Sequence, residues 1–321
     1  MIRFGIVGAG AIAQKFAIDI MKAEHAVVTA IASRTFKKAD EFKNRFHLEY
    51  AFGNYKEMAE SDVIDAVYIA TPHNFHMEQA ILFLNQGKHV LVEKPISVNI
   101  HELEEMIKSA KKNNRLLMEA MWTRYLPVTK FVKEIVDSKQ YGEIKEMNFE
   151  FGFDLISNYD EKRRLLNPQL AGGSLLDLGV YPISSALHYT ESKVFGIEAT
   201  ALIHTTGVDT DCNMTVTFEN GVKAFLKSSM SKSNSRQGVI TFENHEIVIP
   251  NFWSGEECVV DGVKHKFPHK AGGFEYQVDA FAKTIQQGLI ENDIMSFEES
   301  RNTMKIMDEV RDIIGLKYPF E

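Results

Sequence analysis

The apolar positions at the start of the chain are clustered rather than evenly alternating. Ile2, Phe4, Ile6 and Val7 form a short run rich in β-branched residues, the pattern of a buried parallel strand. The run breaks into Gly8-Ala9-Gly10-Ala11-Ile12-Ala13, after which Phe16, Ile20 and Met21 recur at helical spacing. The exchange of strand for helix then repeats. Strands are predicted over 26–32, 66–71, 89–93 and 115–119. A helix follows Pro72-His73-Asn74-Phe75-His76 as far as Gln86, with Gly87 to close it. Asn99 with Glu102 three residues later marks the start of another, running to about Asn113. Repeated βα units imply a doubly wound α/β fold with ligands at the carboxyl ends of a parallel sheet.

Near Trp122 the pattern changes. Met147, Phe149, Phe151 and Phe153 alternate with polar or small residues, as in a half-buried strand. Met214, Val216 and Phe218 do the same, and Asn220-Gly221 predicts a hairpin turn into Val222, Ala224 and Leu226. Strand-like segments follow at 238–242 and 246–249, and helices return over 275–287 and 297–314. The expected architecture is a dinucleotide-binding domain over 1–122 and an α+β domain over 123–321. The second carries a large, mostly antiparallel open sheet, and its last helix is placed to pack back on the first.

Composition narrows the classes. A chain of 321 residues with 45% hydrophobic and 25% charged residues fits a soluble globular protein of two domains. A net charge of −8, with no basic cluster, argues against a nucleic-acid partner. No apolar run approaches membrane-spanning length, and the N-terminus enters a core strand directly, so a cytoplasmic location without a leader is expected. Cys212 and Cys258 are far apart and form no metal or redox motif.

The strand–glycine–helix opening is a dinucleotide fingerprint. Gly8 allows the tight turn, Gly10 the approach of a pyrophosphate, and Ala13 close packing of helix on strand, while Ala11 and Ile12 start the helix whose N–H groups face the anion. The second strand ends in Ser33-Arg34, with Lys37 and Lys38 beyond, where NAD-binding chains carry an acidic residue. A hydroxyl and a guanidinium suit a 2′-phosphate, so NADP is expected rather than NAD. Lys94 follows an apolar strand, at the edge where such sheets deliver groups to ligand, and Pro95 fixes the backbone behind it. Asp177 and Tyr181, four apart, would share a helix face. Two plainer roles stay open: Ser174 with Asp177 fits a capping box, and Tyr181 fits a core tyrosine. His73 and His76 have the spacing of metal ligands but no accompanying cluster, and no metal is expected. Arg124 is a candidate for cofactor phosphate or a surface salt bridge, and Trp122, Arg163 and Arg164 are candidates for substrate.

Together the Gly8–Ala13 loop, Thr71-Pro72 with His76, Glu93-Lys94-Pro95 and the run Gly172-Gly173-Ser174-Leu175-Leu176-Asp177-Leu178-Gly179 resemble the Gfo/Idh/MocA oxidoreductase family over essentially the whole chain. Met118-Glu119-Ala120-Met121-Trp122, Tyr181-Pro182 and Gly315-Leu316-Lys317-Tyr318-Pro319 are similar to its dihydrodiol and D-xylose dehydrogenase branch, which has Tyr where many members have His. The resemblance implies hydride transfer between a nicotinamide and a sugar or vicinal diol. It places Thr71, Pro72, His76 and Glu93 at the cofactor and Lys94 beside the nicotinamide, with a cis Lys94–Pro95 bond. Lys94 and Tyr181 become the proton-transfer pair, with Asp177 orienting, and a homodimer through the second sheet is implied. The alternatives are a glucose–fructose-type oxidoreductase or other carbonyl reductase that retains its cofactor, and a non-catalytic NAD(P)-sensing regulator.

Overall fold

Strand β1 (Ile2–Val7) ends at the glycine loop and gives way to α1 (Ala11–Asp19) in the computed structural model, which describes residues 1–157 and 159–321. β2 (Ala26–Ala32), α2 (Phe36–Phe46), β3 (Tyr50–Phe52), α3 (Tyr55–Glu60), β4 (Ala66–Ile69), α4 (His76–Asn85), β5 (His89–Glu93), α5 (Ile100–Asn113) and β6 (Leu117–Ala120) follow. The six strands pair in parallel in the order β3-β2-β1-β4-β5-β6, the doubly wound order of a Rossmann sheet. Val7 pairs with Ala32 and Ile69, and Ile69 with Val92, so the strand ends are level. That register brings the loops after β1, β2, β4 and β5 to one edge. The α5 start is as expected: Asn99 Oδ1 accepts the Glu102 N–H at 3.0 Å.

The chain forms two units, 1–122 with 270–300, and 123–269 with 301–321. The first includes α8 (Phe274–Gln286), whereas the expected division left that segment in the second domain. The reason is apolar packing: Phe274 meets the Trp122 ring at 4.9 Å and Phe281 meets Phe4 at 5.3 Å. Lys15 ties the entry to α8 by donating to Gly272 O at 2.6 Å.

The second unit contains α6 (Pro127–Ser138), β7 (Glu146–Gly152), α7 (Val180–Tyr189), β8 (Val194–Ile203), β9 (Asp209–Phe218), β10 (Lys223–Ser229), β11 (Gln237–Thr241), β12 (Glu246–Pro250), β13 (Glu257–Val260), β14 (Val263–Lys266) and the 301–314 part of α9 (Phe297–Ile314). Its strands run in the order β14-β13-β12-β11-β7-β10-β9-β8, antiparallel except for the β7–β10 pair. The expected hairpin joins β9 to β10 through Asn220-Gly221, with Gly221 at φ +86°. Met147, Phe149 and Phe151 bury one face of β7, and Phe149 stacks on Tyr189 of α7 with ring centres 6.1 Å apart.

Candidate active site

A cavity of about 450 Å³ opens at the level strand ends of the first unit. Gly8, Ala9 and Gly10 line it with Ser33, Arg34 and Lys38 after β2 and with Ala70, Thr71 and Pro72 after β4. Gly8 sits at φ +96°, and a Cβ there would meet Ala70 O at 3.0 Å. Gly10 has open space where a Cβ would point, and as N-cap of α1 it offers no side chain to the free N–H groups. Backbone donors therefore face an uncrowded hollow flanked by two cations and a hydroxyl, which fits a dinucleotide with its phosphates at the helix start. Ala13 is fully buried against the sheet, while Ala11 is exposed and Ile12 half-buried. Sequence reasoning passed over Tyr55, Phe75, Glu78, Gln79 and Leu82, which complete the wall and set one carboxylate beside its two cations. The Arg34 guanidinium lies 5.7 Å from the Phe75 ring centre, and Thr71 Oγ1 donates to Gln79 at 2.7 Å.

Lys94 follows β5 at the same edge, half-buried, with a cis bond to Pro95. Three buried side chains hold its turn. Glu93 accepts from the Tyr68 hydroxyl and, through Oε2, from the Lys94 N–H at 3.2 Å. Glu119 accepts the Ile96 N–H at 3.2 Å and the Ser300 hydroxyl at 2.8 Å. His76 is wholly buried, with Nε2 2.9 Å from Thr71 O and Nδ1 3.0 Å from Pro95 O. Burial lowers its pKa to about 4, against the carbonyl contacts, which raise it. Glu93 and His76 thus brace the loops that meet the cavity and do not line it.

In the second unit, Asp177 belongs to a π-turn, Leu175–Gly179, that leads directly into α7 and Tyr181. The capping-box alternative fails: Ser174 is already helical (φ −74°, ψ −32°), and its hydroxyl donates to Asp209 instead. Single π-turns are concentrated at functional sites. Gly172 and Gly173 are required by close approach. A Cβ on Gly172 would sit 2.5 Å from Arg164 O, and one on Gly173, at φ +119°, would fall on Asp209 Oδ1. Folding the chain back there brings Arg164 to Asp177, with Nη1 to Oδ1 2.8 Å and Nη2 to Oδ2 3.2 Å. The guanidinium holds both carboxylate oxygens, so Asp177 suits orientation rather than proton abstraction. Tyr181 is 7% exposed, and its ring meets Phe151 edge-on at 5.1 Å; Phe151 in turn contacts Trp253 at 4.6 Å. Trp253 carried no local signal, standing in a loop that only the sheet brings against Phe151.

Other candidates lie elsewhere. Arg124 is 2% exposed, and its Nε and Nη2 bond Ser184 Oγ and O at 2.9 and 3.0 Å within the second unit. Buried and bonded to Ser184 of α7, it is not a surface ion pair. Trp122 is 5% exposed and packs on Phe274, with the Lys15 ammonium 5.2 Å from its ring centre. Arg163 is exposed and lies over Tyr159 at 4.9 Å. His73 and His76 stand ring to ring at 5.7 Å, and among the described residues no group of three or more His, Cys, Asp or Glu has the arrangement of a metal site.

The NAD-binding Rossmann domain of the GFO/IDH/MocA oxidoreductase family matches residues 2–121, and that family's C-terminal domain matches residues 129–248. The chain belongs to the Gfo/Idh/MocA oxidoreductase family. It is an oxidoreductase with a dinucleotide-binding first domain. It is 32% identical to a trans-1,2-dihydrobenzene-1,2-diol dehydrogenase of Mus musculus over 99% of this chain and 98% of that one. It is 35% identical to a scyllo-inositol 2-dehydrogenase (NADP(+)) of Bacillus subtilis over 99% of both. Among solved structures, a 3-ketoreductase of Actinomadura kijaniata bound to NADP and TDP-benzene is 26% identical, with TM-score 0.85 over 98% of each chain. An aldose-aldose oxidoreductase of Caulobacter crescentus shares the fold at 22% identity, with TM-score 0.88 over 97% of each. No helix among the described residues is long and apolar enough to cross a membrane.

Proposed function

We propose that the protein is an NADP-dependent dehydrogenase of a secondary alcohol carbon in a ring that bears a neighbouring hydroxyl, as in an inositol or a trans-dihydrodiol. The observation that carries this reading is the Arg164–Asp177 pair on the π-turn that precedes Tyr181, with Phe151 against that tyrosine. Fixed ionic hydrogen-bonding groups suit vicinal hydroxyls, and aromatic faces suit the C–H faces of a ring. The named activities of the relatives at 32% and 35% identity share that chemistry. For the cofactor, Ser33, Arg34 and Lys38 on the cavity wall favour a 2′-phosphate.

Bound NADP+ supplies the hydride acceptor at its nicotinamide C4. The protein's own residues manage the rest. The Tyr181 phenolate would take the proton of the substrate hydroxyl at the carbon that gives up hydride, and so become a neutral phenol. A tyrosine titrates near 10, and an adjacent ammonium favours its ionised form; Lys94 is assigned that task. Asp177, held by Arg164, orients the substrate hydroxyls. Tyr181→Phe is expected to lower kcat at least a hundredfold while NADPH binding, followed by fluorescence, stays within twofold. Turnover like the parent's would remove Tyr181 from proton transfer.

A further inference from the structure

Asp209 opens β9 with 0% exposure. Its Oδ2 accepts both the Ser174 hydroxyl and the Leu175 N–H at 2.7 Å, and Ser174 Oγ also stands 3.0 Å from Ser228 Oγ. Oδ1 is buried with no hydrogen-bond partner and faces Gly173, where only the missing Cβ makes room for it. A buried carboxylate with a bare oxygen is costly, and an apolar residue of similar size would serve packing better. What Asp209 provides is a grip on the point where the chain enters the π-turn. Two residues beyond Leu175 stands Asp177, and four beyond that stands Tyr181. The other side of the turn is held too, since the Tyr318 hydroxyl donates to Gly172 O at 2.7 Å.

We propose that Asp209 is a positioning residue, which through Ser174 and Leu175 sets the π-turn so that Asp177 and Tyr181 stand correctly for proton transfer. The inference rests on the catalytic reading of those two residues. Burial raises the Asp209 carboxyl to about 6, opposed by the Ser174 hydroxyl and the Leu175 N–H. The titratable groups that feel its charge include Tyr318 and Cys212, both pushed up chiefly by burial and so neutral over the working range. Asp209 is therefore ionised at pH 8 and takes up a proton as pH falls through about 6, which weakens its charge-assisted bonds to the turn.

The test compares Asp209→Ala, Asp209→Asn, Ser174→Ala and Tyr181→Phe in the full chain. Two readouts are taken: kcat and KM for NADP+ reduction with scyllo-inositol from pH 5 to 9, and amide hydrogen exchange over 172–181, which needs no substrate. Asp209→Ala is expected to lower kcat at least tenfold with NADPH affinity within twofold, and to speed exchange across the turn. Asp209→Asn, which keeps an acceptor oxygen but cannot ionise, recovers only part of that loss at pH 8 and removes the part of the kcat fall centred near pH 6. Ser174→Ala loses about threefold and serves as the gentler arm where Asp209→Ala folds poorly. Unchanged exchange and kcat in the Ala variants overturn the inference. Parent-like turnover by Tyr181→Phe overturns the underlying reading instead, because that variant leaves Asp209 and its bonds intact.

Discussion

Arg34→Ala separates the 2′-phosphate argument from general cofactor binding. Arg34 and Lys38 line the cavity, and Arg34 lies over the Phe75 ring at 5.7 Å. A hydrogen bond to a charged group is worth about 1.5–3 kcal/mol, and the exposure of Arg34 takes the expected value to the lower end. About 1.4 kcal/mol corresponds to a tenfold rise in Kd for NADP. The contact with Phe75 is common to both cofactors, and at an exposed site a cation–π pair is worth about 0.5–1 kcal/mol. NAD should therefore weaken by no more than about threefold to fivefold. Titration of each reduced cofactor by fluorescence reads both constants. Because the phosphate term is electrostatic and solvent-exposed, the gap between them should narrow as salt rises from 0.05 to 0.5 M. An equal loss for NAD and NADP, or a gap insensitive to salt, would refute the assignment of Arg34.

Two further outcomes follow from backbone and burial. Gly173→Ala places a methyl on Asp209 Oδ1 at φ +119°, and should destabilise the second unit by about 2 kcal/mol or more, read by thermal unfolding; Gly207→Ala, with open space at φ +94°, should cost less. His76 titrates near 4 in the fold against about 6.5 unfolded, so the unfolded chain binds the extra proton between those values and stability falls as pH drops through them. The full shift corresponds to about 3 kcal/mol, and His89, lowered to about 4 by burial, acts in the same direction. His188, lowered well below the ordinary value chiefly by burial, acts the same way, so His76→Gln should remove only part of the difference in urea midpoint between pH 8 and pH 4; an unchanged difference would show that His76 is not held neutral.

Five of the six parallel strands were legible because their signals are local; the three-residue edge strand β3 (Tyr50–Phe52) is too short to show a pattern. An apolar run, a glycine turn and the Asn99 cap each name an element within a few residues, and Asn220-Gly221 does the same for the β9–β10 hairpin. The membership of α8 was not legible, since Phe274 and Phe281 read as the apolar face of any helix and only the fold supplies Trp122 and Phe4 opposite them. The π-turn was hidden for a related reason. Ser174 and Asp177 have the spacing of a capping box, and what diverts the serine is a carboxylate 35 residues away on β9. Arg164 was visible as a candidate, whereas its bidentate hold on Asp177 depends on the backbone reversal that Gly172 and Gly173 allow.

The central claim is tested most directly by initial rates of NADP+ reduction with scyllo-inositol, a trans-1,2-dihydrodiol and D-xylose, each repeated with NAD+. A cyclic vicinal diol turned over with NADP+ preferred by at least tenfold is the predicted result. Tight NADPH binding with no turnover of any of the three, or a preference for NAD+, would contradict it.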